Sequence, residues 1–148
     1  MNALQLVRIG LLTGGALAAA GGLLHLACIA GGPKWYAFFQ APAPIVRSAE
    51  QGTWLAPLST VAIAGAMFLA AAYAVSLAGL GPRLPLARLA VATVAALCAL
   101  RVLGTVLLLA RRPDLYSTFE LMAGLIFLAV AVTYAWAAAL PPGWRPAA

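Results

Sequence analysis

Residues 95–110 read AALCALRVLGTVLLLA, and a single arginine, Arg101, interrupts this apolar stretch. The apolar run extends from about Leu86 to Ala110, which is long enough to cross the ~30 Å hydrocarbon core of a bilayer. A charged side chain near the centre of a membrane costs at least ~2.5 kcal/mol. The stretch therefore predicts a membrane-spanning helix in which Arg101 needs a polar partner.

The composition of the whole chain agrees with a lipid environment. Of the 148 residues, 65% are hydrophobic and 8% are charged, whereas a soluble domain carries about 25% charged residues. The net charge is +6, and most of the basic residues lie where apolar segments end, as expected for anchors at anionic headgroups. We therefore predict a single membrane domain over residues 1–148, with membrane lipids as partners and no nucleic acid.

Four apolar segments can be separated by their polar, glycine-rich or proline-rich breaks. They predict an all-α integral membrane protein, an antiparallel bundle of four transmembrane helices. At the start of the last segment, Ser117 and Glu120 form the capping-box pattern STFE. The predicted helices cover about residues 4–29, 54–80, 86–110 and 119–140.

A long loop, residues 30–53, separates the first two predicted helices. Its segment APIVRSAE predicts one turn of interfacial helix with Pro44 in the first position. Trp35, Tyr36 and Trp54 are typical of an aromatic belt at the membrane interface. Long loops that keep their own structure also often line or cover a site, so the rim of a ligand pocket is the functional alternative for these aromatics.

The acidic residues limit the choice of partner for Arg101. The chain has only three, Glu50, Asp114 and Glu120, and all three fall on the side of the long loop. We expect Arg101 to point to that side and to pair with Glu50 or Glu120, with Asp114 or a bound ligand as further alternatives. A buried arginine–glutamate pair can also be a purely structural link between helices.

The sole histidine, His25, lies roughly 9 Å below the loop end of the first helix, given a rise of 1.5 Å per residue. The small residues Gly14, Ala18 and Gly22 precede it at four-residue spacing, a pattern that lets another helix approach closely. His25 continues this face, so it should point into the bundle. A hydrogen bond to a neighbouring helix would satisfy it, and binding a ligand or acting as an acid or base are the functional alternatives.

Several classes of chemistry are excluded or disfavoured. One histidine cannot supply both axial ligands of a bis-histidine haem within one protomer, and the chain has no CxxC motif for a thiol relay. Cys28 and Cys98 lie at different depths, which disfavours a shared metal site with His25. We expect no metal and no cofactor.

Three functions remain open. The first is binding, transport or sensing of a small amphiphilic or anionic ligand, with Arg101, His25, Glu50, Glu120 and the loop aromatics around it. The second is a structural or accessory subunit that packs through the first helix against a second copy or another membrane protein. The third is a membrane enzyme acting on a lipid-soluble substrate, with His25 as acid or base, although the sequence leans against an enzyme.

The aromatic run KWYAFF at 34–39, the LPL at 84–86 and Arg101 together resemble a family of small bacterial inner-membrane proteins. The resemblance implies a four-helix integral protein of the bacterial inner membrane and no particular activity. Members of that family often carry Gly-Ala-Gly-Glu after the aromatic run, where this chain has QAPAP at 40–44.

Basic residues are balanced across the membrane, and the N-terminal amine alone favours cytoplasmic termini.

Overall fold

A computed structural model describes residues 3–112, 114 and 117–141 of the chain. Within these residues the ordered structure is helical, and no strand is present. There are six described helices: α1 (Ala3–Gly31), α2 (Pro33–Phe38), α3 (Ala43–Glu50), α4 (Leu55–Leu77), α5 (Ala87–Arg111) and α6 (Thr118–Ala139).

Four of the helices, α1, α4, α5 and α6, are long and apolar enough to cross a membrane. They contain 22 to 29 residues, or roughly 33–44 Å at 1.5 Å per residue. At most 22% of the apolar window of each helix is buried, so most of their large apolar side chains face outward, as lipid contact requires. These observations confirm the predicted all-helical fold with four helices that could span a membrane, although α4 is shorter than the predicted 54–80.

The ends of these helices follow local sequence signals. At the start of α6, the Glu120 backbone N–H donates to the Ser117 hydroxyl at 3.1 Å, as the capping pattern predicts. Between α4 and α5, the Ser76 hydroxyl donates to the Pro82 carbonyl at 2.9 Å and accepts from the Leu84 N–H at 3.0 Å. One serine thus fixes the turn that the GLGPRLP break predicts.

Contacts divide the chain into two compact units, and the first comprises the described parts of residues 1–15 and 72–148. Among its described residues, four of the eight buried core residues are alanine, and Tyr134 has the largest fully buried side chain. Tyr134 fits because Gly14 has no side chain: a Cβ atom there would lie 2.5 Å from the tyrosine ring. The core residues are Val7, Leu11, Ala74, Ala78, Val91, Ala95, Tyr134 and Ala137.

The second unit, residues 16–71, contains α2 and α3. Its core is formed by Cys28, Tyr36 and Ala56, and partly buried apolar side chains from α3 and from the residues that follow α2 pack against them. The break before α2 falls at Gly32, whose φ of 66° suits glycine. Helix α3 coincides with the predicted APIVRSAE but spans two turns rather than one, and Pro44 occupies its second position.

Two hydrogen-bonded contacts hold the short helices against the start of α4. The Tyr36 hydroxyl lies 2.9 Å from the Thr60 hydroxyl. The Ser48 hydroxyl accepts from the Ala56 N–H at 2.8 Å and lies 2.7 Å from the Thr53 hydroxyl. The region between the first two spanning helices is therefore ordered by its own core and its own polar contacts.

Candidate functional site

Arg101 is the centre of a small polar cluster in the first unit. Its Nη2 donates to Glu120 Oε2 at 2.9 Å, and its Nη1 donates to the Thr105 hydroxyl. The Thr105 hydroxyl in turn donates to the Arg101 carbonyl at 3.0 Å. The Arg101 Cζ also lies 5.9 Å from the centroid of the Phe127 ring, a distance typical of a cation–π contact. Of the partners that the sequence left open, the structure shows Glu120.

Helix geometry explains why Arg101 pairs with Glu120. Arg101 precedes the end of α5 by ten residues, or roughly 15 Å, whereas Glu120 is the third residue of α6. The two helices pack against each other, and the long arginine side chain covers the difference in depth. Thr105 lies one turn after Arg101 on the same helix face, where its hydroxyl can meet the guanidinium.

The cluster is open to the outside. The Arg101 side chain is 45% exposed and that of Glu120 is 22% exposed. Leu97, Leu100 and Leu103 nearby on α5 are exposed, and a Cβ atom at Gly104 would meet nothing within 4 Å. A half-exposed guanidinium on an otherwise apolar spanning helix is therefore available to a molecule from outside the unit.

The other two carboxylates lie elsewhere. Asp114 accepts two hydrogen bonds from Arg112, at 2.9 and 2.7 Å. This guanidinium lowers the pKa of the Asp114 carboxyl from its ordinary value. Glu50 is exposed at the end of α3, and within the described ranges it forms no ion pair.

His25 is half-buried on α1, and its Nδ1 lies 2.8 Å from the carbonyl of Gly21 on the same helix. Because a carbonyl only accepts, Nδ1–H is the donor in this contact. The expected hydrogen bond to a neighbouring helix is replaced by a bond to the residue one turn earlier. Within the described part of the chain, no carboxylate forms a hydrogen bond with this imidazole.

The small residues of α1 are in contact with side chains of this same chain. A Cβ atom at Gly14 would overlap Tyr134, and one at Gly22 would lie 3.0 Å from the Phe68 ring. Ala18, between them, is half-buried. Both glycines of the predicted packing face are therefore occupied within their own units.

The loop aromatics have different environments. Tyr36 is buried and lines a cavity of about 180 Å³ with Thr53 and Pro57. Trp35 lines a second pocket, of about 260 Å³, together with Phe38 and Phe39. Trp54 is 83% exposed and lines neither. The aromatic pocket was missed at the sequence level, although the spacing of positions 35, 38 and 39 places them on one helix face.

Among the residues that the structure describes, no group of three His, Cys, Asp or Glu side chains is placed to hold a metal ion. No family model, curated protein or solved structure matches this chain. The resemblance to small bacterial inner-membrane proteins thus stays a prediction from the sequence.

Proposed function

We propose that this protein binds a small amphiphile inside the membrane and that Arg101 and Glu120 hold its polar end. The observation that carries the proposal is the half-exposed guanidinium on a spanning helix. A charged group at that depth is costly unless a polar partner meets it. An amphiphile can supply that partner while its apolar tail lies along the exposed leucines of α5.

The ion pair narrows the chemistry of the polar end. A guanidinium has five N–H donors, and the described contacts with Thr105 and Glu120 use two of them. The remaining N–H groups suit carbonyl, carboxyl or phosphoryl oxygens. Because Glu120 already balances the charge of Arg101, an uncharged or zwitterionic polar group fits better than a net anion, which would have to displace the carboxylate.

His25 and Glu50 are not included in this proposed site. The described contact of His25 is with its own helix, and Glu50 forms no described ion pair. The enzyme alternative requires an acid or base beside His25 within hydrogen-bond reach. No described contact supplies one, so binding is the better-supported proposal.

The test compares two probes that share a 12-carbon acyl chain, monolauroylglycerol and laurate, on the purified full chain in maltoside micelles. Native mass spectrometry counts retained probe molecules. We expect saturable retention of monolauroylglycerol, weaker retention of laurate, and loss of both in Arg101→Gln. The matched control is Arg111→Gln, which removes an exposed arginine from the last turn of the same helix. If Arg101→Gln lowers thermal stability but retains both probes unchanged, the binding proposal is overturned.

A structural role is the second candidate, and the Arg101–Glu120 pair itself favours it because the pair joins α5 to α6. A subunit that docks another protein through Gly14 and Gly22 has less support, since both glycines already contact side chains of this chain. In a purely structural role, the unmodified chain would retain neither probe. Replacing both charges with apolar residues, Arg101→Met with Glu120→Leu, would then lower the stability of the contact between α5 and α6.

A further inference from the structure

Helix α2 carries an aromatic pocket that the proposed function does not use. Trp35, Phe38 and Phe39 line a concave space of about 260 Å³. The ring centroids of Phe38 and Phe39 are 5.0 Å apart at an interplanar angle of 86°, and those of Trp35 and Phe39 are 6.2 Å apart at 60°. We call this space the aromatic slot.

The aromatic slot is anchored on one side to the core of the second unit. Phe39 packs against the core of the second unit, and the neighbouring Tyr36 is buried with its hydroxyl 2.9 Å from that of Thr60. In contrast, Phe38 is 77% exposed and Trp35 is 43% exposed. The helix is therefore anchored on one face and presents two large aromatic side chains on the other.

We propose that the aromatic slot binds the quaternary ammonium group of a phosphocholine headgroup. The faces of aromatic rings carry negative electrostatic potential and attract cations, and quaternary ammonium groups are a recurrent ligand of aromatic cages. The slot-lining side chains offer one hydrogen-bond donor, the indole N–H, and no carboxylate. A quaternary ammonium needs no hydrogen bond, whereas a primary ammonium would lose its hydration without compensation.

The charges nearby favour a zwitterion over a bare cation. Lys34 is exposed one turn before Phe38 on α2, and Arg47 is exposed on α3, which packs against α2. These cations repel a lone choline but can meet the phosphate of phosphocholine. Glu50, also exposed on α3, is the one carboxylate on these two helices.

The position of α2 in the chain supports the same ligand. Helix α2 begins at Pro33, two residues after the spanning helix α1 ends, so it lies at the level of the lipid headgroups. A belt of interfacial aromatics would explain exposed rings at this level but requires no concave pocket. Trp54, which is exposed but does not line the slot, serves as the belt-type control.

The first experiment uses soluble ligands and the full chain in maltoside micelles. Isothermal titration calorimetry compares phosphocholine, phosphoethanolamine and 3,3-dimethylbutyl phosphate, an uncharged-head analogue with carbon in place of nitrogen. We expect saturable binding of phosphocholine and at least about fivefold weaker binding of the other two. Equal affinity for phosphocholine and the carbon analogue would overturn the proposal, because it would show a merely apolar slot. This comparison needs no variant.

The second experiment uses variants. Phe38→Leu and Trp35→Leu keep apolar bulk but remove a ring face, and each should weaken phosphocholine binding by about fivefold. Lys34→Gln should weaken the binding of phosphocholine and strengthen the binding of choline, because Lys34 attracts the phosphate but repels a lone cation. Trp54→Leu should have no effect. If Trp54→Leu lowers the affinity as much as Trp35→Leu, the aromatics act as a general interfacial belt and the proposal fails.

A third experiment distinguishes a free phosphocholine ligand from a phosphatidylcholine lipid. The chain in nanodiscs of equal phosphatidylcholine and phosphatidylethanolamine is extracted into maltoside, and native mass spectrometry identifies the retained lipid. Selective retention of phosphatidylcholine that Phe38→Leu abolishes supports a lipid source, even without soluble phosphocholine binding. Soluble binding without such retention supports a free ligand. Absence of both overturns the proposal, and neither result depends on Arg101.

Discussion

The charge of Arg101 is the main energetic problem of this chain at the scale of single residues. Removing one member of an ion pair leaves the other uncompensated. We expect Glu120→Gln to lower the free energy of unfolding by about 1–3 kcal/mol. The substitution keeps the backbone N–H of residue 120 that donates to Ser117, so helix capping is unaffected. Unfolding in mixed micelles of maltoside and dodecyl sulfate, followed by circular dichroism, measures the change.

The double variant Arg101→Met with Glu120→Leu is the control for this prediction. Because apolar pairs often replace ion pairs at little cost, it should recover most of the stability lost in Glu120→Gln. A double variant that is less stable than the single one would show that the pair is a net stabiliser of the α5–α6 contact. That result would contradict the view of Arg101 as a charge retained for binding.

Gly14 lies at a position in the first unit where an added side chain would overlap a buried ring. A Cβ atom there would lie 2.5 Å from Tyr134 Cε1 and 2.8 Å from its hydroxyl oxygen. Gly14→Ala should therefore cost about 1–3 kcal/mol through overpacking. Gly104→Ala is the matched control, because its Cβ would meet nothing within 4 Å and alanine favours the helix. Equal melting temperatures for the two variants would refute the close contact.

The partner of Arg101 could be predicted from the sequence because the chain has few acidic residues. With three acids in the chain, the partner of Arg101 could be narrowed to a short set that includes Glu120. The contact of His25 could not be found in this way. Its bond to the Gly21 carbonyl depends on the rotamer of one side chain, and the spacing of residues indicates a helix face but no rotamer.

At the scale of elements, Ser48 links two helices that are separate in sequence. Its hydroxyl accepts from the Ala56 N–H at 2.8 Å, so a residue of α3 caps the second position of α4. We expect Ser48→Ala to destabilise this end of α4 by about 1 kcal/mol, as for loss of other helix caps. Faster amide hydrogen exchange at Ala56 would measure it. Ser59→Ala, which removes only hydrogen bonds to the carbonyls of its own helix, should leave that exchange unchanged.

The connection after α5 provides a pH-dependent contact outside the spanning helices. The hydrogen bond from Arg112 lowers the pKa of Asp114 below its ordinary value of 3.8. A carboxyl whose pKa falls on folding stabilises the folded state above the ordinary pKa and loses that contribution as the pH drops through the lower, folded pKa. NMR titration of Asp114 should show this depressed pKa, and Arg112→Gln should return it toward 3.8. An unchanged titration in Arg112→Gln would contradict the pairing.

The long helices were predictable because continuous apolar length is a strong signal, and Ser117 located the start of α6 to within a residue. The six-residue α2 was not predicted. It is too short to show periodicity, and it is held by the burial of Tyr36 and by Gly32, whose φ of 66° ends α1. The aromatic slot was missed for the same reason, since its three side chains are brought together only when α2 forms.

At the scale of the whole molecule, the distribution of acids is a constraint on topology. If all four candidate spans cross the membrane, both termini face one side and the connections that carry the three acids face the other. We predict that the termini face the cytoplasm. Single cysteines at positions 40 and 82, in a chain with Cys28 and Cys98 replaced by alanine, should differ in access to a membrane-impermeant maleimide. Position 40 should be labelled in intact cells and position 82 only after lysis. Labelling of both positions in intact cells would show that α4 does not cross the membrane, and the reverse labelling pattern would contradict the predicted orientation because position 40 would then face the cytoplasm.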